Sequence, residues 1–284
     1  MGEFHLRGGL MYKKAICNEM FGTMELSCVC DILNTYGFDG IEIAPFTLLG
    51  DKEMFSDSKI EYIKTTLRAH HLEFAGFHWL LAHPKGLHIT SPNVEVRKRS
   101  VEHLIHLLNV SGELGGGTLI LGSPHQRSVE KGKEEQGRAL LEEGLRELGD
   151  VAIKNNSTMC MEALSSNDTN IINTLEEAKT LVHSINSKGV SSMFDFHNCG
   201  DETLSWDELI DYYYPIIQHV HLNTLNGGHP TVLDIEAYLP SFATLKSLAY
   251  KKWVSLEIFT VPENPIEVVK QTAHFLQEIE NKLL

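Results

Sequence analysis

Short apolar runs of four to six residues recur along the whole chain, separated by longer stretches in which apolar positions return every three or four residues. The first pattern predicts buried strands and the second amphipathic helices, so the chain reads as repeated βα units around a parallel sheet. Strands are expected at residues 14–18, 40–44, 73–78, 118–122, 158–162, 191–195, 219–223 and 254–258. Eight units in 284 residues leave about 35 residues each, close to the roughly 30 or more of a βαβ repeat. No Pro-, Gly- or Ser-rich linker divides them. The expected fold class is therefore α/β, a single (β/α)8 TIM barrel over residues 12–284. A flexible N-terminal extension is expected over residues 1–11, where no periodic pattern is present.

Polar punctuation agrees with this division. Ser58-x-x-Glu61, Thr174-x-x-Glu177 and Ser205-x-x-Glu208 have the spacing of capping boxes that open amphipathic stretches. Ser91-Pro92 and Asn264-Pro265 place a polar cap before a proline whose missing N–H costs nothing in a first helical turn. The run Gly115-Gly116-Gly117 precedes a strand instead of joining a strand to a helix, so it is read as a helix stop and not a phosphate loop. No Walker, Rossmann or G-x-S-x-G pattern occurs in the right context.

Composition narrows the function classes. With 42% hydrophobic and 22% charged residues the chain has material for a large core. A formal net charge of −14 disfavours a nucleic-acid partner, because binding a phosphate backbone draws on clustered Lys and Arg. The five cysteines, Cys17, Cys28, Cys30, Cys160 and Cys199, are odd in number and read as reduced. Cys28 and Cys30, two apart in an expected helix, are read as packing residues. No apolar run approaches the roughly 18 residues of a membrane span, and the N-terminus lacks the apolar middle of a signal peptide. A cytoplasmic location without membrane association is expected.

Four polar residues stand at the ends of apolar strands, where an unpaired charge is costly: Glu162, Asp195, His221 and Glu257. They belong to the expected fifth to eighth strands, whose C-terminal ends line one side of a barrel mouth, so their side chains can converge. Three carboxylates and an imidazole make a mostly oxygen site suited to one divalent cation. Mn2+ is the first choice, with Mg2+, Co2+ or Zn2+ as alternatives.

The segments CNEMF, YGFDGIEIAPF, AGFHWLL, LILGSPHQR, CMEAL, MFDFHN, HVHLN and WVSLEIF, in that order, resemble the xylose-isomerase-like sugar isomerases and epimerases, a resemblance that spans Cys17 to Glu257. That family includes ketose 3-epimerases, hydroxypyruvate isomerases and inosose dehydratases. The resemblance implies one metal on Glu162, Asp195, His221 and Glu257, with Glu162 and Glu257 as the acid/base pair. The sixth-strand motif departs from the epimerase pattern, reading Asp195-Phe196-His197 where Asp-x-x-His is expected. After the seventh strand, NGGHPTVLD lacks the arginine that some epimerases carry.

Further candidates for substrate contact are His78 and Trp79 at the end of the third strand, His197, and His229 in the loop beyond His221. Glu42 could meet substrate or form a buried ion pair. Arg127 could grip a carboxylate, phosphate or hydroxyl, or brace neighbouring loops. Ser123 and Gln126 carry the same ambiguity. His219 shares a face with His221 but lies deeper, as a packed core histidine.

The leading expectation is metal-dependent isomerisation or epimerisation of a small sugar, ketose or related polyol by proton transfer beside a carbonyl, without an organic cofactor. Elimination of water from a keto-sugar or keto-inositol is the nearest alternative. A zinc-dependent apurinic endonuclease is disfavoured by the acidic surface, and a non-catalytic sugar-binding barrel would not need two opposed carboxylates. Homo-oligomerisation is left open.

Overall fold

In the computed structural model, which describes residues 12–50, 52 and 54–284, the eight apolar runs pair as parallel strands. They are β1 (Lys13–Cys17), β2 (Gly40–Ile43), β3 (Glu73–Phe77), β4 (Thr118–Leu121), β5 (Thr158–Met161), β6 (Val190–Asp195), β7 (Ile217–Leu222) and β8 (Trp253–Leu256). They close in sequence order, β8 returning to β1, so the molecule is a (β/α)8 barrel. The extension expected over residues 1–11 lies outside the described residues.

The connecting helices are α1 (Leu26–Thr35), α2 (Pro45–Leu49), α3 (Asp57–Ala69), α4 (Val94–Glu113), α5 (Glu134–Lys154), α6 (Leu175–Ile185), α7 (Trp206–Tyr213), α8 (Ile235–Ser247) and α9 (Pro265–Leu283). Their buried residues fall at helical spacing, as with Leu104, Leu107 and Leu108 of α4 and Leu141, Leu145 and Leu148 of α5. Each helix thereby presents one apolar stripe to the core. No helix among the described residues is long and apolar enough to cross a membrane.

Three helix starts follow the expected caps. Ser205 and Glu208 complete a reciprocal box at α7, Asn264 caps α9 with Pro265 in its first turn, and Thr174 caps α6. At α6 the Glu177 carboxylate reaches one residue past the box, accepting from Asn173 N–H. Two starts are corrected. Ser56, not Ser58, caps α3 through Lys59 N–H, and Asn93, two residues beyond Ser91, caps α4 through Glu95 and Val96 N–H. In both places several cap-forming residues lie within a few positions, and the one that reaches free amides sets the start. The glycine run does stop α4: Gly115 and Gly116 take φ of 109° and 90°. Cys30 packs in the core, but Cys28 is exposed, which corrects the packing role expected for it.

Inside the barrel, residue size decides the layers. The Trp253 indole occupies the space a side chain at residue 40 would need; a Cβ there would lie 2.6 Å from the ring, so Gly40 is the residue that fits. Ala15 and Ala75 pack beside it. Above this plug the inward positions turn polar. Cys17 stands opposite Glu42, Asp195 opposite His221, and His221 opposite Ser255.

Candidate metal centre and adjoining cavity

Because a parallel barrel points all its strand C-termini to one end, residues far apart in sequence meet there. Glu162 follows the last residue of β5, Asp195 ends β6, His221 is the penultimate residue of β7, and Glu257 follows β8. One ligand atom from each lies within 4.8 Å of the others, and all four residues are buried. His221 Nδ1 is 3.0 Å from Glu257 Oε2, 3.7 Å from Asp195 Oδ2 and 4.0 Å from Glu162 Oε1.

The electrostatics of this group are unbalanced without a cation. Burial pushes the Glu162 carboxyl well above its ordinary range, and the neighbouring Glu257 and Asp195 push it further. Burial also raises Glu257, against the opposing pull of His221. Asp195 is likewise buried, yet its close contact with the His221 imidazole holds it below the usual value. Burial would depress His221, but the charges of Glu257 and Glu42 outweigh it and raise that imidazole well above normal.

Glu42 explains how His221 is oriented. Fully buried on β2, it lies 3.1 Å from His221 Nε2 through Oε1 and 2.8 Å from His219 Nε2 through Oε2. A carboxylate only accepts, so Nε2 of His221 carries the proton and Nδ1 is turned to the acidic cluster, where no protein group completes a hydrogen bond to it. An orphaned imidazole nitrogen facing three buried carboxylates fits a divalent cation, and a carboxylate behind the histidine is the usual support for such a ligand. Glu42 is not among the residues lining the cavity, so its geometry favours the buried ion pair over substrate contact. His219 sits deeper on β7, 2.8 Å from Thr118 Oγ1, as a packed core histidine.

A cavity of about 230 Å³ opens beside the four residues, small against the roughly 300–1,000 Å³ of typical ligand pockets. Glu162 and Glu257 line it, with His78, Trp79 and His197. His78 Nε2 contacts Glu19 Oε2 at 2.6 Å. His197 stacks edge-on against Phe259, the ring centroids 4.7 Å apart. Trp79 adopts a left-handed φ of 53°, an uncommon backbone state for a bulky residue.

Two other sequence candidates fall elsewhere. Arg127 is wholly buried and donates to the carbonyls of Glu162 at 2.7 Å, Leu121 at 3.4 Å and Ile172 at 3.4 Å, so it braces the strand-end loops instead of lining the cavity. Burial lowers its pKa to about 10. His229 is paired with Gln271 at 2.7 Å, also away from the cavity lining. Of the ambiguous loop residues, Ser123 lines the cavity while Gln126 does not.

Sequence reasoning missed Asn198, which donates to Glu162 Oε1 at 3.1 Å. It occupies the last position of the Asp-x-x-His pattern counted from Asp195, and that count would have found it. It also missed Glu19, whose place in the turn after β1 gave no periodic signal. Gly122 was passed over as well: a Cβ there would lie 2.2 Å from Glu162 Oε2, so the absent side chain makes room for the carboxylate.

The sequence profile of the xylose isomerase-like TIM barrel family matches residues 30–279, and the chain belongs to that family. Solved structures of similar fold include a D-psicose 3-epimerase determined in the presence of D-fructose, at 16% identity and TM-score 0.79, covering 95% of this chain and 99% of that one. A 3-keto-D-glucoside 4-epimerase from E. coli has 19% identity and TM-score 0.77, with coverage of 95% and 99%. An L-ribulose 3-epimerase has 16% identity and TM-score 0.78, with coverage of 96% and 95%. No curated protein sequence matches the chain significantly.

Proposed function

We propose that the chain is a metal-dependent sugar isomerase or epimerase that moves a proton at a carbon next to a carbonyl. The observation that carries this reading is the pairing of two buried glutamates, Glu162 and Glu257, on one cavity and on one cluster with Asp195 and His221. The structural neighbours that are epimerases support it.

Glu162, Asp195, His221 and Glu257 would hold the divalent cation, which when bound supplies Lewis-acid polarisation of the substrate's carbonyl and adjacent hydroxyl oxygens. One glutamate takes the proton from carbon and the other returns one from the opposite face, so the carbon can leave with inverted configuration. Asn198 fixes Glu162 by its hydrogen bond, while His197 offers a hydrogen-bonding group to hydroxyls, His78 stands in the wall with Nε2 held by Glu19, and Trp79 offers an apolar face. Among the described residues no Lys or Arg lines the cavity, and Asp168 does. That lining favours a neutral sugar over a phosphorylated one.

The test is metal analysis of the purified protein together with a screen of ketoses in D2O. One divalent ion per chain, with solvent deuterium appearing beside the carbonyl of a recovered ketose, is the expected result. Net loss of water from the sugar would reassign the site to a dehydratase. Metal binding without exchange in any sugar would leave the barrel a binding protein.

A further inference from the structure

Beyond the small cavity lies a second one of about 480 Å³, and the two share Trp79 and Phe259 as a common wall. The second is lined chiefly by apolar side chains: Phe46, Phe259 and Val261 contribute, although they are 38%, 43% and 63% exposed. Exposed large hydrophobes scattered singly need no explanation, but here they gather in one concavity that adjoins a polar site.

The Phe259 side of the shared wall is seated by the loop after β7. Phe259 N–H donates to Gly227 O at 3.2 Å, and a Cβ on Gly227 would lie 2.4 Å from the Phe259 ring. Gly227, at φ +75°, thus lets the ring seat against the loop. Trp79 is kept in the left-handed region, and such backbone states persist where surrounding contacts over-determine them, often at ligand clamps. The charged groups of the second cavity include Lys85 and Glu19, of opposite sign, so nothing there singles out an anionic or cationic ligand.

We propose that this second cavity is a subsite for the aromatic aglycone of a glycoside that carries a ketone on its sugar ring, the ring occupying the first cavity and the aglycone lying on the far side of Trp79 and Phe259. The inference rests on the sugar-binding reading of the first cavity. Three aromatic side chains, Phe46, Trp79 and Phe259, offer faces and edges to a flat apolar ring. A bare monosaccharide would leave the subsite unused.

The experiment is calorimetric binding of phenyl and methyl β-D-glucosides, with free D-fructose and D-glucose as references, to the metal-loaded wild type and to Val261→Asp and Phe46→Ser. Both substituted residues lie outside the first cavity, and circular dichroism verifies folding. The phenyl glycoside should bind about tenfold tighter than the methyl glycoside, and each variant should shrink that ratio to about threefold or less without altering free-sugar affinity. Equal binding of the two glycosides, or binding of free sugars alone, overturns the subsite and leaves the sugar site standing. A phenyl preference that survives both substitutions places the ring elsewhere and also overturns it. Failure of every sugar to bind removes the sugar reading itself, and the subsite with it. A wild-type dimer that Val261→Asp or Phe46→Ser dissociates assigns the surface to a second copy of the chain and overturns the proposal.

Discussion

One buried contact decides which nitrogen of His221 faces the acidic cluster. Glu42 accepts at Nε2, so Nδ1 is presented to Glu162, Asp195 and Glu257. Glu42→Gln keeps the shape but removes the charge shared by His219 and His221. Divalent-metal affinity, measured by competition with a chelator, should fall by roughly 10- to 100-fold, the range for support residues of this kind. Unchanged affinity would show that Glu42 does not orient the ligand. At this scale the sequence was only partly readable. Charged residues at strand ends announced the four cluster members, because a buried charge needs a partner. The direction of Arg127 was not readable: a loop arginine can point into a cavity or beneath it, and only the folded carbonyls of Glu162 and Ile172 decide.

Helices docked on the barrel show how local chemistry sets element boundaries. At α3 two serines compete, and Ser56 reaches the free Lys59 amide while Ser58 only meets the Ser56 hydroxyl at 3.0 Å. Ser56→Ala should cost about 1 kcal/mol of unfolding free energy, whereas Ser58→Ala should stay within about 0.5 kcal/mol; denaturant titration of both variants checks the assignment. The periodic pattern located each helix, but patterns do not rank neighbouring caps, which explains why the starts of α3 and α4 were misplaced by two residues. Helix α4 also docks through His103, whose Nε2 lies 3.0 Å from Leu80 O. Burial lowers the His103 pKa to about 4, below the roughly 6.5 of an unfolded histidine. Between these values the unfolded state binds more protons, so this contribution is full above about pH 6.5 and is lost as pH falls to about 4. His103→Gln should flatten that part of the stability profile; an unchanged slope from pH 7 to pH 4 would refute the assignment.

For the whole molecule, closure of the barrel is what turns four separate strand ends into one cluster. That outcome was legible because eight buried runs with helical stretches between them admit few other arrangements, and because parallel strands send every C-terminus to one rim. Invisible to sequence was the division of that rim into a polar cavity and an aromatic one, since it depends on the left-handed backbone at Trp79 and the ring of Phe259 against Gly227. The central claim is that Glu162 and Glu257 exchange a substrate proton while sharing a metal with Asp195 and His221. Its most direct test is the rate of solvent deuterium incorporation into a ketose substrate by Glu257→Gln, with bound metal quantified in the same samples. Gln keeps an oxygen for the metal but cannot take up a proton as the carboxylate does. The expected result is retained metal with exchange reduced by at least about a hundredfold, the lower end of what general acid/base catalysis contributes. Exchange near the wild-type rate with metal in place would contradict the account.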